Sequence, residues 1–384
     1  MPRIRSRLAG MSSATAGAAA LVAACFYDVP AVLGGPEGSA ESGPDSGDGQ
    51  DAKHDGPHPR DARYDGPDMG QDAAEGGPDA ADGARDAADG GKDAEDAAGP
   101  VAIATGSSGS GIAADETNVY WTSNDAGTVM KCPVSGCGGS PTTLASGQVG
   151  PWQIAVDKTN AYWTNFGGTV VSCAIGGCGG SPTTLASGQP RPYGIAIDAT
   201  NVYFTNSQPA GAVISCPKGG CGGSPTTLAS QDGPTGIAVY GTNVYWVTIH
   251  GGTGVQCAIA GCGGTPTTLA SGQSAPIGVA VNATNVYWTN YAAPAGVMSV
   301  SLDGGTPTTI ASGDFDWGVA LDSTSIYWAA AGDDTVLTCP LGGCGGTPTT
   351  LASGQKGPAQ IAINSKSIFW TNLLGTTVER LTPK

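Results

Sequence analysis

This chain of 384 residues has little positive charge and few charged residues of either sign. Lysine and arginine number 16 against 32 aspartate and glutamate, so the formal net charge is −16, and charged residues make up 12% of the chain. Without a basic stripe the chain cannot neutralise phosphates, so we expect no nucleic acid partner. No uninterrupted apolar run reaches the roughly 18 residues of a membrane-spanning helix, which excludes a polytopic membrane protein.

Glycine and proline are abundant instead, with 63 and 27 residues. A coiled coil or a helical bundle is built largely from Ala, Glu, Lys and Leu, so this composition excludes both. The acidic residues are concentrated in one stretch. Residues 34–100 carry 18 acidic residues against 5 basic ones, whereas residues 101–384 carry 13 against 8. The chain therefore divides into an N-terminal segment, an acidic segment and a long C-terminal segment.

The N-terminal segment has the pattern of an export signal. Arg3, Arg5 and Arg7 precede a run of small and apolar residues, which ends in the sequence Leu-Val-Ala-Ala-Cys at Cys25. That ending resembles the lipobox of bacterial lipoproteins. The resemblance implies a signal peptide over residues 1–24, cleavage before Cys25 and a diacylglycerol on the Cys25 thiol. The alternative is an ordinary secretory signal with an incidental cysteine.

The lipobox resemblance also implies a cellular location and the membrane as a partner. We expect an exported protein, anchored by the lipid on Cys25 to the membrane of a bacterial cell envelope, at the outer membrane or the cell surface. From residue 34 the chain repeats Asp-Gly-Pro and Asp-Ala-Ala units with almost no apolar bulk. Such a stretch buries too little surface to offset its ordering entropy, so residues 25–100 are predicted to be a disordered tether.

A sequence repeat fills residues 101–384. Its centre is Asn-Val-Tyr-Trp-Thr or a close variant, and its key aromatic residue recurs every 40–42 residues. Each copy contains four short β-forming runs separated by turn residues. Four strands in about 42 residues are typical of a β-propeller blade, so the sequence predicts an all-β propeller with seven blades. The key aromatic residues are Trp121, Trp163, Phe204, Trp246, Trp288, Trp328 and Trp370.

The two ends of the repeat region predict how the ring closes. We name the four predicted strands of a copy A, B, C and D in chain order. Residues 101–106 match the D run of the other copies, and the chain ends on a C run at residues 377–380. The N-terminal strand should therefore pair with residues 377–380 and complete the last blade. Such closure removes the exposed strand edges of an open array.

Two motifs of the repeat, of the type Gly-Ile-Ala-Val-Asp and Tyr-Trp-Thr, resemble the YWTD and NHL propeller repeats over residues 101–384. YWTD propellers commonly have six blades, so the number seven rests on this sequence alone. One position departs from the family. Asparagine can keep part of the hydrogen bonding of the family's aspartate, whereas alanine cannot. The residues at this position are Ser123, Asn165, Asn206, Thr248, Asn290, Ala330 and Asn372.

Ten cysteines form five pairs of one spacing, each between strands C and D. The sixth copy lacks both cysteines, and the joint loss indicates that the two members bond to each other. An exported protein is also in a disulfide-permissive compartment. The alternative is zinc or an iron–sulfur cluster, but such a site needs two pairs to converge and five pairs leave one over. The predicted disulfides are Cys132–Cys137, Cys173–Cys178, Cys216–Cys221, Cys257–Cys262 and Cys339–Cys344.

The sequence offers few groups for catalysis. The repeat region has one histidine, His250, and its flanks carry no signature of a catalytic triad. Recurrent aspartates at the A–B turns have the pattern of residues that satisfy turn backbone groups. We therefore expect no catalytic residue, no cofactor and no metal. The alternative is a cell-envelope hydrolase or lyase on a propeller scaffold. The turn aspartates are Asp115, Asp157, Asp198 and Asp322.

Aromatic residues outside the repeat core favour one face of the ring. Six of these seven residues lie in D–A or B–C loops, which emerge on the same side of a propeller. They either pack between blades or form a binding face. On the second interpretation the protein is a binding or adhesion module for a protein, peptide or glycan ligand that the sequence does not identify. The candidate ligand-binding residues are Trp152, Tyr193, Trp317, Arg191, Asp314, Asp316, Asn165 and Asn290.

Overall fold

The computed structural model describes residues 99–106, 108–314 and 316–384. The predicted signal peptide, the predicted lipid site at Cys25 and the predicted tether before residue 99 lie outside the described residues. Every regular element in the described part is a β-strand. No helix in these three stretches is long and apolar enough to cross a bilayer.

Twenty-eight strands form seven antiparallel sheets of four strands each. Blade 1 contains β2 (Gly111–Ala114), β3 (Asn118–Ser123), β4 (Thr128–Pro133) and β5 (Thr142–Ala145). Blade 2 contains β6 (Pro151–Val156), β7 (Asn160–Asn165), β8 (Thr169–Ala174) and β9 (Thr183–Ala186). Blade 3 contains β10 (Pro192–Ile197), β11 (Asn201–Asn206), β12 (Gly211–Pro217) and β13 (Thr226–Gln231).

Blades 4 to 7 repeat the same order from the inner strand A to the outer strand D. They contain β14 (Pro234–Tyr240), β15 (Asn243–Thr248), β16 (Thr253–Ala258) and β17 (Thr267–Ala270); β18 (Pro276–Val281), β19 (Asn285–Asn290), β20 (Gly296–Ser301) and β21 (Thr308–Ser312); β22 (Asp316–Leu321), β23 (Ser325–Ala330), β24 (Thr335–Pro340) and β25 (Thr349–Ala352); and β26 (Pro358–Ile363), β27 (Ile368–Asn372), β28 (Thr377–Leu381) and β1 (Val101–Thr105).

The N-terminal strand closes the ring as predicted. Strand β1 pairs antiparallel with β28, with Val101 opposite Arg380 and Thr105 opposite Thr377. Ile103 and Ala104 of β1 are buried in the core of the last blade and its neighbour. The predicted seven-bladed propeller and its closure are confirmed.

The core lies between successive blades, because each sheet packs one face against the next. Trp163 of blade 2, for example, belongs to one cluster with Tyr120 and Leu144 of blade 1. All seven key aromatic residues are 0% exposed. The repeated aromatic residue is therefore the main packing contact that joins neighbouring blades.

The five predicted disulfides are also confirmed. Each joins the two cysteines of one C–D hairpin, with Cα atoms between 5.2 Å and 5.5 Å apart. In the sixth copy the hairpin turns at Asp303 and Gly304, where the Gly304 N–H donates to the Ser301 carbonyl at 2.9 Å. Gly304 has a φ of +82°, and Gly136 has +104° at the equivalent place in a disulfide-bonded copy, so the turn uses glycine's conformational freedom with or without the disulfide.

Candidate functional site

The D–A and B–C loops lie at one end of the ring, which we call the loop face. Trp152, Tyr193 and Trp317 occupy equivalent places near it, in the second positions of β6, β10 and β22. The sequence had indicated that they lie in the D–A loops. In the structure they lie just inside the inner strands that follow those loops. Their exposed fractions are only 3%, 4% and 1%.

These aromatic rings pack against other rings near the loop face. Trp152 stacks on Phe166 with centroids 4.6 Å apart, and Tyr193 lies 5.5 Å from Trp152. Trp317 meets Tyr291 edge-on at 6.2 Å. The geometry thus matches packing between blades, the interpretation that the sequence had left open beside binding. Tyr193 also lines the cavity of the central channel, and ligand binding by the three residues stays a prediction.

The candidate asparagines belong to a buried hydrogen-bond network that connects neighbouring blades. Gln148 follows the outer strand of blade 1, and its backbone N–H donates to Gly127 of that blade. Its side-chain Oε1 accepts hydrogen bonds from two groups of blade 2, Trp163 Nε1 at 3.2 Å and Asn165 Nδ2 at 3.0 Å. We call this arrangement the glutamine lock. The lock explains asparagine at the end of strand B, because a carboxylate cannot donate a hydrogen bond to the Gln Oε1.

Four blades share the Gln–Asn bond of the glutamine lock, and three of them also have the tryptophan bond. The sequence carried a signal for the lock that we missed. A Ser-Gly-Gln motif precedes those copies that have asparagine at the end of strand B. The Gln–Asn pairs are Gln148 with Asn165, Gln189 with Asn206, Gln273 with Asn290 and Gln355 with Asn372.

Blade 6 shows the effect of losing the lock. The end of strand B is Ala330, and the loop before the blade has Asp314 in place of the glutamine. Within the described residues, Trp328 Nε1 and Thr335 Oγ1 are buried there without a hydrogen-bond partner. Asp314 itself is exposed, and its charge adds to burial in raising the pKa of Tyr291. Asp316, the other acidic candidate, is the first residue of β22.

A second network holds the inner strands together. The Thr164 hydroxyl accepts a hydrogen bond from the Gln153 N–H at 3.2 Å and donates to the Tyr193 carbonyl of the next blade at 2.7 Å. Blade 4 has Val247 at the threonine position. In that blade the hydroxyl of Thr235 makes the bond to the next blade and donates to the Pro276 carbonyl at 3.0 Å. These bonds connect successive inner strands around the central channel.

The central channel contains a cavity of about 140 Å³. Five of the seven equivalent positions of the inner strands line it, and three of these five are glycines, Gly194, Gly236 and Gly278. A Cβ at Gly236, for example, would collide with the Ile277 carbonyl of the next blade, so the close approach of the inner strands requires glycine there. The other two positions are Gln153 and Gln360, in the blades on either side of blade 1. Both are half-buried, and no described residue hydrogen-bonds to either side-chain amide.

The acidic residues of the opposite face serve the turns, as predicted. Asp115 Oδ1 accepts hydrogen bonds from the backbone N–H groups of Thr117 and Asn118, both at 2.7 Å, and Oδ2 accepts from the Tyr120 hydroxyl at 2.9 Å. Burial opposes the charge, but these bonds hold the pKa of Asp115 below its ordinary value. In blade 2 burial and the neighbouring Asp157 raise the pKa of Tyr162 to about 12.

Two further polar side chains, His250 and Arg191, lie on the loop face. His250 Nδ1 is 3.3 Å from Asp232 Oδ1, and the His250 side chain is one-third exposed. Arg191 is exposed, and its guanidinium lies over the Phe166 ring. In the described part of the chain, no group of three or more His, Cys, Asp or Glu side chains is arranged to hold a metal ion.

Comparison with known proteins shows the fold. No family model matches the chain, and no curated protein does. Among solved structures it is similar to virginiamycin B lyase from Staphylococcus aureus, with 12% identity and a TM-score of 0.62 over 74% of this chain and 98% of that one. It is also similar to the WD40 propeller domain of Doa1, with 13% identity and a TM-score of 0.59 over 73% and 94%. At such identities the likeness shows the β-propeller scaffold alone.

Proposed function

We propose that the protein is an exported, lipid-anchored binding module that holds its ligand at the loop-face mouth of the central channel. The observation that carries this proposal is the pair Gln153 and Gln360. At channel-facing positions where the other five blades have glycine, these two blades present amide groups to the cavity. Unpartnered amides in a preformed concave site are typical of ligand recognition.

The chemistry of these groups indicates the kind of ligand. A glutamine amide is neutral and offers both donors and an acceptor, so it suits hydroxyl or peptide groups. The threonine bonds and glutamine locks connect neighbouring blades around the channel, and a preformed wall lowers the ordering cost of binding. A peptide or glycan with neutral polar groups fits these requirements.

Replacing the two glutamines tests the site. We expect the double variant Gln153→Gly and Gln360→Gly to lose binding of the peptide or glycan that the unaltered chain selects from an array, by about tenfold or more. The fold should persist, because glycine is the residue that five blades have there. The measurement is titration of the selected compound against both chains. Gln231→Ala, in the outer strand β13, is the control for nonspecific effects. Undiminished binding by the double variant would contradict the proposal.

The membrane anchor has its own test. Because the lipid on Cys25 is the proposed attachment, we expect Cys25→Ser to move the protein from the membrane fraction into the soluble fraction. Fractionation of cells that produce either chain, followed by immunoblotting, measures this. Replacement of Cys137 and Cys132 by serine controls for loss of a cysteine, and that variant should stay with the membrane. A Cys25→Ser protein that still sediments with membranes would refute the lipid anchor.

A cell-envelope hydrolase or lyase is the second candidate. The pairing of His250 with Asp232 at 3.3 Å favours it, since a carboxylate that orients an imidazole is part of many acid–base sites. The array experiment also separates the two functions. A compound recovered unchanged after incubation supports a binding module, whereas a new product in the mass spectrum supports the enzyme.

A further inference from the structure

Arg191 occupies a backbone position where the other blades favour glycine. The residue before the inner strand has positive φ in five blades, and in three of them it is glycine, namely Gly150, Gly233 and Gly357. Arg191 has a φ of +51° there, and Ala275 has +50°. Residues with a Cβ are strained in this region. A long charged side chain at a strained, exposed position indicates a role other than folding.

The side chain of Arg191 is held but not neutralised. Its guanidinium carbon lies 5.9 Å from the centroid of the Phe166 ring. That ring is itself fixed by stacking on Trp152. The ion pairs among the described residues involve Lys218, His250 and Lys384, so no described carboxylate pairs with Arg191. The guanidinium therefore lies within cation–π range of the ring and keeps its N–H donors available to a ligand.

An exposed apolar residue, Val149, is hydrogen-bonded to the loop that carries Phe166. Val149 is 70% exposed, more than the other large hydrophobic residues that are exposed. It precedes the same inner strand as Trp152. The Gly167 N–H donates to the Val149 carbonyl at 2.9 Å, and the Phe166 N–H donates to the Gly150 carbonyl at 2.8 Å. Val149 and Phe166 are thus held together, with Arg191 over the Phe166 ring.

We propose that Arg191, Phe166 and Val149 bind the C-terminal carboxylate of a peptide whose last side chain is apolar. The guanidinium fork can hold both carboxylate oxygens, and Val149 offers apolar contact to the adjacent side chain. Residues 101–384 carry 13 acidic residues against 8 basic ones, so the surroundings favour a single carboxylate over a polyanion. This inference rests on the proposed function, because it names the ligand class for the same face.

The test uses the full chain with Cys25→Ser and a library of tetrapeptides that end in Val, Leu, Ile or Phe. Each peptide is presented with a free C-terminal carboxylate and as the C-terminal amide. We expect the free acids to bind at least about tenfold more tightly than the amides. Arg191→Gly should remove that difference. Ala275→Gly, the same backbone change in blade 5, should leave it intact.

Stability measurements separate the site from the fold. Because glycine suits the backbone at both positions, the two variants should unfold at or slightly above the temperature of the parent chain. Equal affinity for acids and amides, or an Arg191→Gly chain that still prefers the acid, would overturn this inference. If the array instead yielded a uronate-bearing glycan whose binding depended on Arg191, the peptide assignment would be overturned. Should the Gln153 and Gln360 variant lose a ligand that Arg191→Gly retains, the proposed function stands and the carboxylate site does not.

Discussion

Replacement of Trp288 by alanine is expected to lower the free energy of unfolding by about 3–5 kcal/mol. The Trp288 ring is completely buried and packs against Tyr245 and Leu269 of the preceding blade. The substitution leaves a cavity between two blades that the closed ring cannot collapse. It also removes the hydrogen bond from Trp288 Nε1 to Gln273 Oε1, at 3.1 Å. Chemical denaturation of the parent and variant chains measures the difference.

Trp288→Phe is the matched control for this change. Blade 3 has Phe204 at the same position, so the ring system accepts phenylalanine there. The variant keeps most of the buried surface and loses the hydrogen bond to Gln273, which predicts a cost of about 1 kcal/mol. Equal unfolding midpoints for Trp288→Ala and the parent chain would show that the repeat aromatic does not join the blades.

Removal of the N-terminal strand is the second large effect. A chain that starts at Gly106 should unfold at a much lower temperature than a chain that starts at Pro100, because only the longer chain contains β1. Burial of Ile103 alone contributes about 1.5–3 kcal/mol. The shorter chain also exposes the backbone edge of β28, which pairs with β1 in the closed ring.

Thermal unfolding of the two shortened chains tests the closure. The chain that starts at Pro100 lacks the acidic segment and should unfold like the full chain, since the blades make their contacts within the propeller. This comparison separates loss of the tether from loss of the strand. If the two shortened chains melted at the same temperature, the closing strand would contribute nothing to stability.

Several features of this fold followed from local sequence patterns. The aromatic residue recurs seven times at intervals of 40–42 residues, which predicted seven blades. The unmatched runs at residues 101–106 and 377–380 predicted the closure of the ring. The disulfides followed from the equal spacing of five cysteine pairs and from the absence of both cysteines in the sixth copy. Each of these patterns recurs at about one blade length, so its presence in several copies supports the prediction made from any one of them.

The environment of the candidate site was decided by contacts between blades. Trp152 is near a loop in the sequence, yet its ring is buried, because adjacent inner strands approach closely and Phe166 covers it. The glutamine lock joins Gln148 to Asn165, which are separated by 17 positions and belong to different blades.

The sequence by itself determined the all-β class, the number of blades, the closing strand and the disulfide pairs of this protein, because all four depend on short-range pattern and spacing. Only the tertiary structure decided which side chains reach the channel and which are covered. Gln153 faces the cavity because seven inner strands close into a ring, and Trp152, one position earlier, points into the packing between blades. Which side chain is exposed to the channel depends on the distance between neighbouring inner strands, and the sequence of one repeat does not determine that distance.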